Sequence, residues 1–517
     1  MRRKKDHRAG RALLAGGIAA CLWVVCTGAR PQATDNEPVD RHGAADTGPA
    51  LLTPDDVALR EDLAWLVDRR VLGLPLSTWP LPAAIVQAAI APTRERDWPA
   101  LDADVLARVE RAVARHTAPA SAGLKVNTAR HAALDGDRAA RGAADASVGL
   151  RTHGERWSVR LQVNAHGHPL SHTKQQGSLD GSYAVLALRS TLPSFGAVDR
   201  WWGPGRYTSP VLSNAARPFP AVTLRRARDA APGWGGLRWI GPWGYEFSLG
   251  QLQHYEPARP RMLGLRLYAR PLAGVEIGLI RQIQWGGQGR PGGLSALRDA
   301  LLGDSNIADP DLRASNDPSN ELAGFDLRLS HLDAGGRAWV GHLQLIGEDE
   351  AHNLPSRYIM TAGLQLKHPW QGGRVEWSAE GTDTMNRRLL VREVSQLQPA
   401  YTHGTYTDGY YHQGLPIGAH IGGGGRIYTA GLLWVPDCAS PCRRWRLTAF
   451  DARVSEAGRE AVNASFGEPG DVHGLALRTE SQAANFDWYL GLSLQRYRAG
   501  PRPDAGVQFG IEFPLQR

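Results

Sequence analysis

The sequence predicts a mostly β protein, a large transmembrane antiparallel β-barrel carrying a small N-terminal α-helical bundle. Three observations lead there. Residues 147–517 alternate apolar and polar side chains at period two through strand after strand. No segment beyond the N-terminus approaches the ~20 apolar residues that a spanning helix needs. The chain opens on an export signal. With 42% hydrophobic residues and a mean hydropathy of −0.33, a membrane protein must satisfy its backbone in a closed barrel, because lipid supplies no hydrogen bonds.

In chain order, residues 1–29 read as a signal peptide. Arg2, Arg3, Lys4 and Lys5 are its basic start, Ala12 to Val25 its apolar run, and Thr27-Gly28-Ala29 its small cleavage residues. The run is too short for a membrane anchor. A lipoprotein site at Ile18-Ala19-Ala20-Cys21 would leave an apolar stub, Leu22 to Val25, at the mature N-terminus. Residues 30–50 are polar, without apolar period, and read as a flexible lead-in. Residues 51–118 read as a helical bundle. Thr53-Pro54-Asp55-Asp56 resembles an N-cap, a proline at N1 and an acidic first turn. Val57, Leu59, Leu63, Trp65, Leu66 and Val67 mark one side of the first helix, which Gly73 and Pro75 stop. Leu81 to Ala91 and Asp102 to His116 read as two more helices. Three short helices bury little on their own and need a larger body to pack on. Residues 119–146 read as a linker or a first strand.

The barrel occupies 147–517. Trp157, Val159, Leu161 and Val163 alternate with Ser158, Arg160, Gln162 and Asn164; Phe325, Leu327 and Leu329 alternate with Asp326, Arg328 and Ser330. Segments at Val275, Val375 and Phe486 repeat the pattern. A soluble sandwich also alternates, so the number of such segments is the stronger evidence for lipid outside and a polar lumen inside. Trp157, Trp377, Trp434, Tyr489 and Tyr497, near strand ends, fit an interfacial girdle. Val507, Phe509, Ile511 and Phe513 form a final alternating strand, followed by Pro514-Leu515-Gln516-Arg517.

The net charge of +8 favours an anionic partner such as lipopolysaccharide or acidic polysaccharide. Export and the lack of any nucleic-acid-binding motif argue against nucleic acid. Cys438 and Cys442, in Cys-Ala-Ser-Pro-Cys, read as a disulfide closing a tight turn in an oxidising compartment. A metal site would need further ligands nearby, and redox pairs use a shorter spacing. Glu348, Asp349 and Glu350 read as lumen charges balancing arginine; glycoside hydrolysis would need two carboxyls ~5–9.5 Å apart across a sugar. No Gly-x-Ser-x-Gly elbow or His-Glu-x-x-His is present. The chain therefore reads as non-enzymatic, without cofactor or metal.

One stretch stands apart from the alternation. Arg200-Trp201-Trp202-Gly203-Pro204-Gly205-Arg206-Tyr207 continues through Asn214 and Arg217 to Arg226, rich in Trp, Gly, Pro and Arg and without helical period. It resembles the signature of the Wzi family of capsule-assembly proteins. The resemblance extends, in family order, to Ala58–Asp68, Thr78-Trp79-Pro80-Leu81, Arg281–Gly287, Asn320–Asp326, Gly347–Glu350 with Leu354–Ser356, and Tyr401–Tyr406 with Gly409-Tyr410 and Pro416–Gly418. It implies an outer-membrane barrel of about eighteen strands in a Gram-negative bacterium, with the helical bundle at the periplasmic end. It further implies a lectin-like role in holding capsular or extracellular polysaccharide at the cell surface. The expected partners are that polysaccharide and outer-membrane lipid with lipopolysaccharide, the chain being a monomer. A sugar binder needs aromatic faces, polar groups for hydroxyls, and Arg where the sugar carries carboxylates. Arg200, Trp201, Trp202, Arg206, Tyr207, Asn214 and Arg217 supply these, either as glycan contacts or as a folded-in plug. Tyr401, His403, Tyr406 and Tyr410, with Tyr411 and His412, form an aromatic, glycine-rich loop that fits a glycan contact or a girdle equally. A passive porin, a polysaccharide-export accessory and an outer-membrane glycan-modifying enzyme are the rival functions.

Overall fold

The computed structural model describes residues 48–129, 135–138, 140–169, 175–233, 235–302, 319–348, 350–351, 354–355, 357–387, 399–437, 442–454, 470–483, 485–498 and 503–515. The signal peptide, most of the lead-in and Cys438 lie outside these, as does Asp349; Cys442 opens a strand. Eighteen antiparallel strands form a closed barrel. They are β1 (Ala120–Asn127), β2 (Gly142–Gly154), β3 (Trp157–Pro169), β4 (Tyr183–Leu186), β5 (Thr191–Gly196), β6 (Ala221–Arg226), β7 (Trp243–Gln251), β8 (Arg261–Leu272) and β9 (Val275–Trp285). They continue as β10 (Ser319–Leu332), β11 (Ala338–Gly347), β12 (Tyr358–Trp370), β13 (Gly373–Arg387), β14 (Arg426–Val435), β15 (Cys442–Val454), β16 (Gly470–Gln482), β17 (Asp487–Tyr497) and β18 (Asp504–Leu515). Each strand pairs with the next, and β18 returns to β1, with Leu515 opposite Ala120 and Gln508 opposite Asn127. The two-residue segment Gly177–Ser178 also pairs with β3, beyond β4.

Alternation explains the wall. Val159, Leu161 and Val163 are 40%, 50% and 53% exposed on the outer face, while Ser158 is fully buried on the inner one. Trp157, Trp377 and Trp434 lie outward, as a girdle requires. Tyr489 and Tyr497 do not. They share the parity of the lumen-facing positions of β17, so Tyr489 stacks under the Arg478 guanidinium and Tyr497 joins an interior cluster. Proximity to a strand end suggested a girdle; the period of two sends them inward.

One barrel end carries short turns, for example 155–156, 273–274, 333–337 and 371–372; the other carries the long connections 197–220, 286–318 and 388–425. Helices α1 (Val57–Asp68), α2 (Ala83–Ile90) and α3 (Ala100–His116) sit at the short-turn end. α1 begins at Val57, later than its Thr-Pro-Asp start suggested, because the Asp56 carboxylate accepts from the Leu59 N–H at 2.9 Å and makes Asp56 the cap. α1 packs on α3, and Asp102 accepts from Trp65 Nε1 at 2.8 Å and pairs with Arg69 at 2.7 Å. A further helix, α4 (Leu294–Leu302), lies in the β9–β10 connection.

α1 is buried on both sides. Its apolar side faces the bundle core. Its acidic side faces basic residues on the barrel's inner wall. Asp68 pairs with Arg328 at 2.7 Å and Lys367 at 2.9 Å. Asp62 pairs with Arg374 at 2.7 Å, Arg108 at 3.3 Å and Arg444. Glu61 pairs with Arg446 at 2.8 Å. Burial alone would raise the Glu61 carboxyl, but the Arg446 and Arg206 guanidiniums overcome it and hold it at about 2. The bundle is thereby fastened inside the barrel mouth by charge as well as by apolar packing.

Candidate functional site

The connection 197–220 leaves β5 and folds into the lumen. Trp201 and Trp202 pair antiparallel with Trp79 and Thr78 of the segment between α1 and α2. Both tryptophans are fully buried, yet they serve different cores. Trp201 packs into the helical core, with Arg60 4.0 Å above its ring. Trp202 packs into a second core nearer the long-loop end, and its Nε1 donates to Glu246 at 3.3 Å. The Trp202 carbonyl accepts from Gln344 Nε2 at 2.9 Å. Gly203 has φ +147°, and a Cβ there would lie 2.1 Å from Gln344 Oε1, so glycine is required for this close passage.

Glu380 on β13 organises residues 206–208. It accepts the backbone N–H of Arg206 at 2.6 Å and those of Tyr207 and Thr208 at 3.1 Å, and His342 Nε2 stands 3.1 Å away. The Arg206 side chain pairs with Glu61 of α1 at 2.7 Å. Tyr207 hydrogen-bonds Ser378 at 2.7 Å. Arg200 donates to Thr223 at 3.0 Å. Asn214 is fully buried, and its carbonyl accepts from Arg141 at 3.4 Å. Arg217 pairs with Asp180 at 2.8 Å and donates to Gln413 at 3.1 Å.

The aromatic loop closes over this segment. Tyr401 donates to the Pro210 carbonyl at 2.6 Å, Tyr410 to Val211 at 2.9 Å and Tyr406 to Gly286 at 3.3 Å. His412 Nδ1 donates to the Arg217 carbonyl at 2.8 Å, and the Ser213 N–H donates to Ile417 at 3.0 Å. His403 is half-buried and its Nδ1 accepts from the Thr405 N–H at 3.1 Å. Burial pushes His412 and His420 down to about 4, so both are neutral near pH 7. Glu348 accepts the Tyr401 N–H at 2.5 Å.

The eleven residues singled out in the sequence thus come together as one body that fills the middle of the lumen. Its inner layer is continuous with the helices, and its outer layer is built on tyrosines. The sequence reading missed Glu61, Asp62 and Asp68 and the wall arginines that hold them. Their signal was available as acidic residues on one side of α1 and arginines at inward strand positions. Among the described residues no group of three metal-ligating side chains stands together.

Residues 118–437 match the family "Capsule assembly protein Wzi". The chain belongs to the Wzi family. A Klebsiella pneumoniae relative, an uncharacterised 55.8 kDa protein in the cps region, is 31% identical over 477 residues, covering 90% of each chain. The solved structure of Escherichia coli Wzi is described as an outer-membrane protein involved in group 1 capsule assembly and a carbohydrate-binding β-barrel. It superposes with a TM-score of 0.78 at 29% identity, covering 90% of this chain and 100% of that one. The resemblance read from the Trp-Trp-Gly-Pro-Gly stretch and its companions is therefore the family itself, and the chain is an outer-membrane β-barrel of capsule assembly.

Proposed function

We propose that this Wzi-family barrel binds exported capsular or extracellular polysaccharide and holds it on the cell surface. The observation that carries the reading is a lumen filled at its centre beneath a long-loop end that presents basic and amide side chains. Arg259 and Arg261 are exposed there, and they line a cleft with Arg290, Gln251 and Gln288. Guanidiniums and amides of this kind suit sugar carboxylates and hydroxyls. The carbohydrate binding described for the Escherichia coli Wzi barrel supports the same assignment.

In this reading the short-turn end and its helices face the periplasm, following the loop asymmetry usual in outer-membrane barrels. The chain is a monomer in contact with lipid and lipopolysaccharide. Arg200, Trp201, Trp202, Arg206, Tyr207, Asn214 and Arg217 act as the plug, and Tyr401, His403, Tyr406 and Tyr410 as the frame that sets the outer loops. Attachment needs no catalytic step. The decisive experiment compares cell-bound and released high-molecular-weight polysaccharide with and without this chain. A shift into the medium at constant total is expected. Collapse of secretion would favour an export accessory, and no change in either amount would remove the attachment reading.

A further inference from the structure

A polar cavity of ≈ 250 Å³ remains between the plug and the wall formed by β16–β18 and β1–β3. It stays open because inward positions there are small, including Ser121, Gly123, Ser147, Gly149 and Gly510. Asp145 and His166 line its long-loop end, and Ser178 stands against His166. Asp145 on β2 and His166 on β3 are direct cross-strand partners, and Ser178 lies opposite Asn164, two residues along β3. Cross-strand and diagonal neighbours on one face come within side-chain reach.

Their geometry is ordered. His166 Nδ1 is 2.8 Å from Asp145 Oδ1, and His166 Nε2 is 3.0 Å from Ser178 Oγ. The other carboxylate oxygen, Asp145 Oδ2, accepts the backbone N–H groups of Arg141 at 3.2 Å and Gly142 at 3.3 Å. In the tautomer with the proton on Nδ1, which donates to the Asp145 carboxylate, Nε2 accepts from the serine hydroxyl. Asn164 Nδ2 donates to the Asp180 carbonyl at 2.9 Å and lies 3.2 Å from Ser178 Oγ, so this amide, oriented by Gln162 donating to Asn164 Oδ1 at 2.9 Å, positions the serine. His166 is buried and lines the cavity with Asp145, and Ser178 is half-buried beside His166.

We propose that Ser178, His166 and Asp145 form an acyl-transfer site that hydrolyses O-acyl esters on sugar hydroxyls. His166 Nε2 takes the Ser178 proton as Oγ bonds to the ester carbonyl carbon. The tetrahedral adduct collapses, the carbon–alkoxy bond breaks, and His166 returns the proton to the departing sugar hydroxyl. A water then attacks the acyl-serine by the same route, releasing the carboxylic acid and restoring Ser178. Asp145 is a positioning residue that holds the imidazole tautomer. Membrane lipid is excluded as the substrate by the wall itself, since the three side chains share the inner face while Val163 points outward, 53% exposed. The sugar as acyl carrier rests on the polysaccharide reading above; the nucleophile does not.

The test uses the purified, folded full-length barrel, a fluorophosphonate probe and p-nitrophenyl acetate. A probe adduct on Ser178 by mass spectrometry is expected, absent from Ser178→Ala. Ester turnover should fall by about 10³-fold or more in Ser178→Ala and His166→Gln. Asp145→Asn should lower kcat by up to about 10⁴-fold with KM unchanged, a split that a merely structural role would not produce. Each variant must keep the heat-modifiable gel mobility of a closed barrel. No adduct, and turnover equal to that of Ser178→Ala in folded wild type, overturns the site. An adduct without acetate release from O-acetylated polysaccharide overturns the substrate class. An adduct in a barrel that retains no polysaccharide on cells leaves the site standing and removes the attachment reading instead.

Discussion

The two layers that fill this lumen are held by different chemistry. The helical layer is clamped by charge, with Glu61, Asp62 and Asp68 of α1 buried against Arg446, Arg374, Arg444, Arg328 and Lys367 of the wall. The outer layer is held chiefly through its backbone, with tyrosine hydroxyls, a histidine and Arg141 donating to carbonyls of the 197–220 segment and an ion pair there, Arg217 with Asp180. Trp201 and Trp202, adjacent in sequence, divide between the two. The difference has a physical reason. A helix has satisfied most of its backbone and meets the wall mainly through side chains, the Ala58 carbonyl accepting from Arg444 at 3.1 Å being one exception, whereas an irregular loop must have its carbonyls satisfied inside the barrel.

The largest expected effect separates the layers most clearly. Asp62→Ala leaves Arg374, Arg444 and Arg108 facing no Asp62 charge, and breaking a buried ion pair costs about 3–5 kcal/mol. Thermal unfolding followed on gels should register this, with proteolysis opening the helices before the outer loop. A loss under about 1 kcal/mol would mean the clamp is ornamental. Trp202→Ala removes a buried aromatic from the outer layer, at about 3–5 kcal/mol. It should loosen the 399–425 loop while the helices stay protected. Equal loosening of both would show that the layers form one cooperative unit.

Gly203→Ala should cost about 1–3 kcal/mol, since φ +147° and the Gln344 side chain both oppose a methyl group. Paired with Gln344→Ala, the cost should fall only in part, because the backbone strain remains. Tyr410→Phe removes one hydrogen bond to Val211 and should cost about 0.5–1.5 kcal/mol.

Acid should separate the layers in order. His412 and His420 are held by burial at about 4, below the unfolded value near 6.5, so the unfolded state binds more protons. Their contribution is intact above pH 6.5 and is lost as pH falls towards 4. Glu61, held at about 2 against an ordinary 4.5, keeps its contribution above pH 4.5 and loses it only below. Limited proteolysis across this range should cut the 399–425 loop first. Simultaneous cutting, or earlier release of the helices, would contradict the assignment of a carboxylate clamp to one layer and contacts to backbone carbonyls to the other.

The barrel and its family were legible in the sequence because a two-residue period and a Trp-Trp-Gly-Pro-Gly run are local patterns. The period even assigned Tyr489 to the polar face, although its place near a strand end suggested a girdle. The α1 cap was misplaced by three residues, since Thr53, Asp55 and Asp56 all have capping side chains and only the fold selects Asp56. The site residues were named from composition, but sequence left their partners open. Trp201 against Trp79, Arg206 against Glu61 and Tyr401 against Pro210 are separated by more than a hundred residues in each case, and the carbonyl acceptors carry no side-chain signature. Asp145, His166 and Ser178 lacked any motif, because strand register rather than chain order sets their distances.

The sequence by itself determined export, alternation, the barrel and the family, since each depends on residues near one another along the chain. Tertiary structure alone decided which wall charges meet α1, which layer each tryptophan joins, and where small inward residues leave a cavity. Those outcomes depend on closure of β18 onto β1, which folds the chain back and brings distant inward-facing side chains into one enclosed, low-dielectric space.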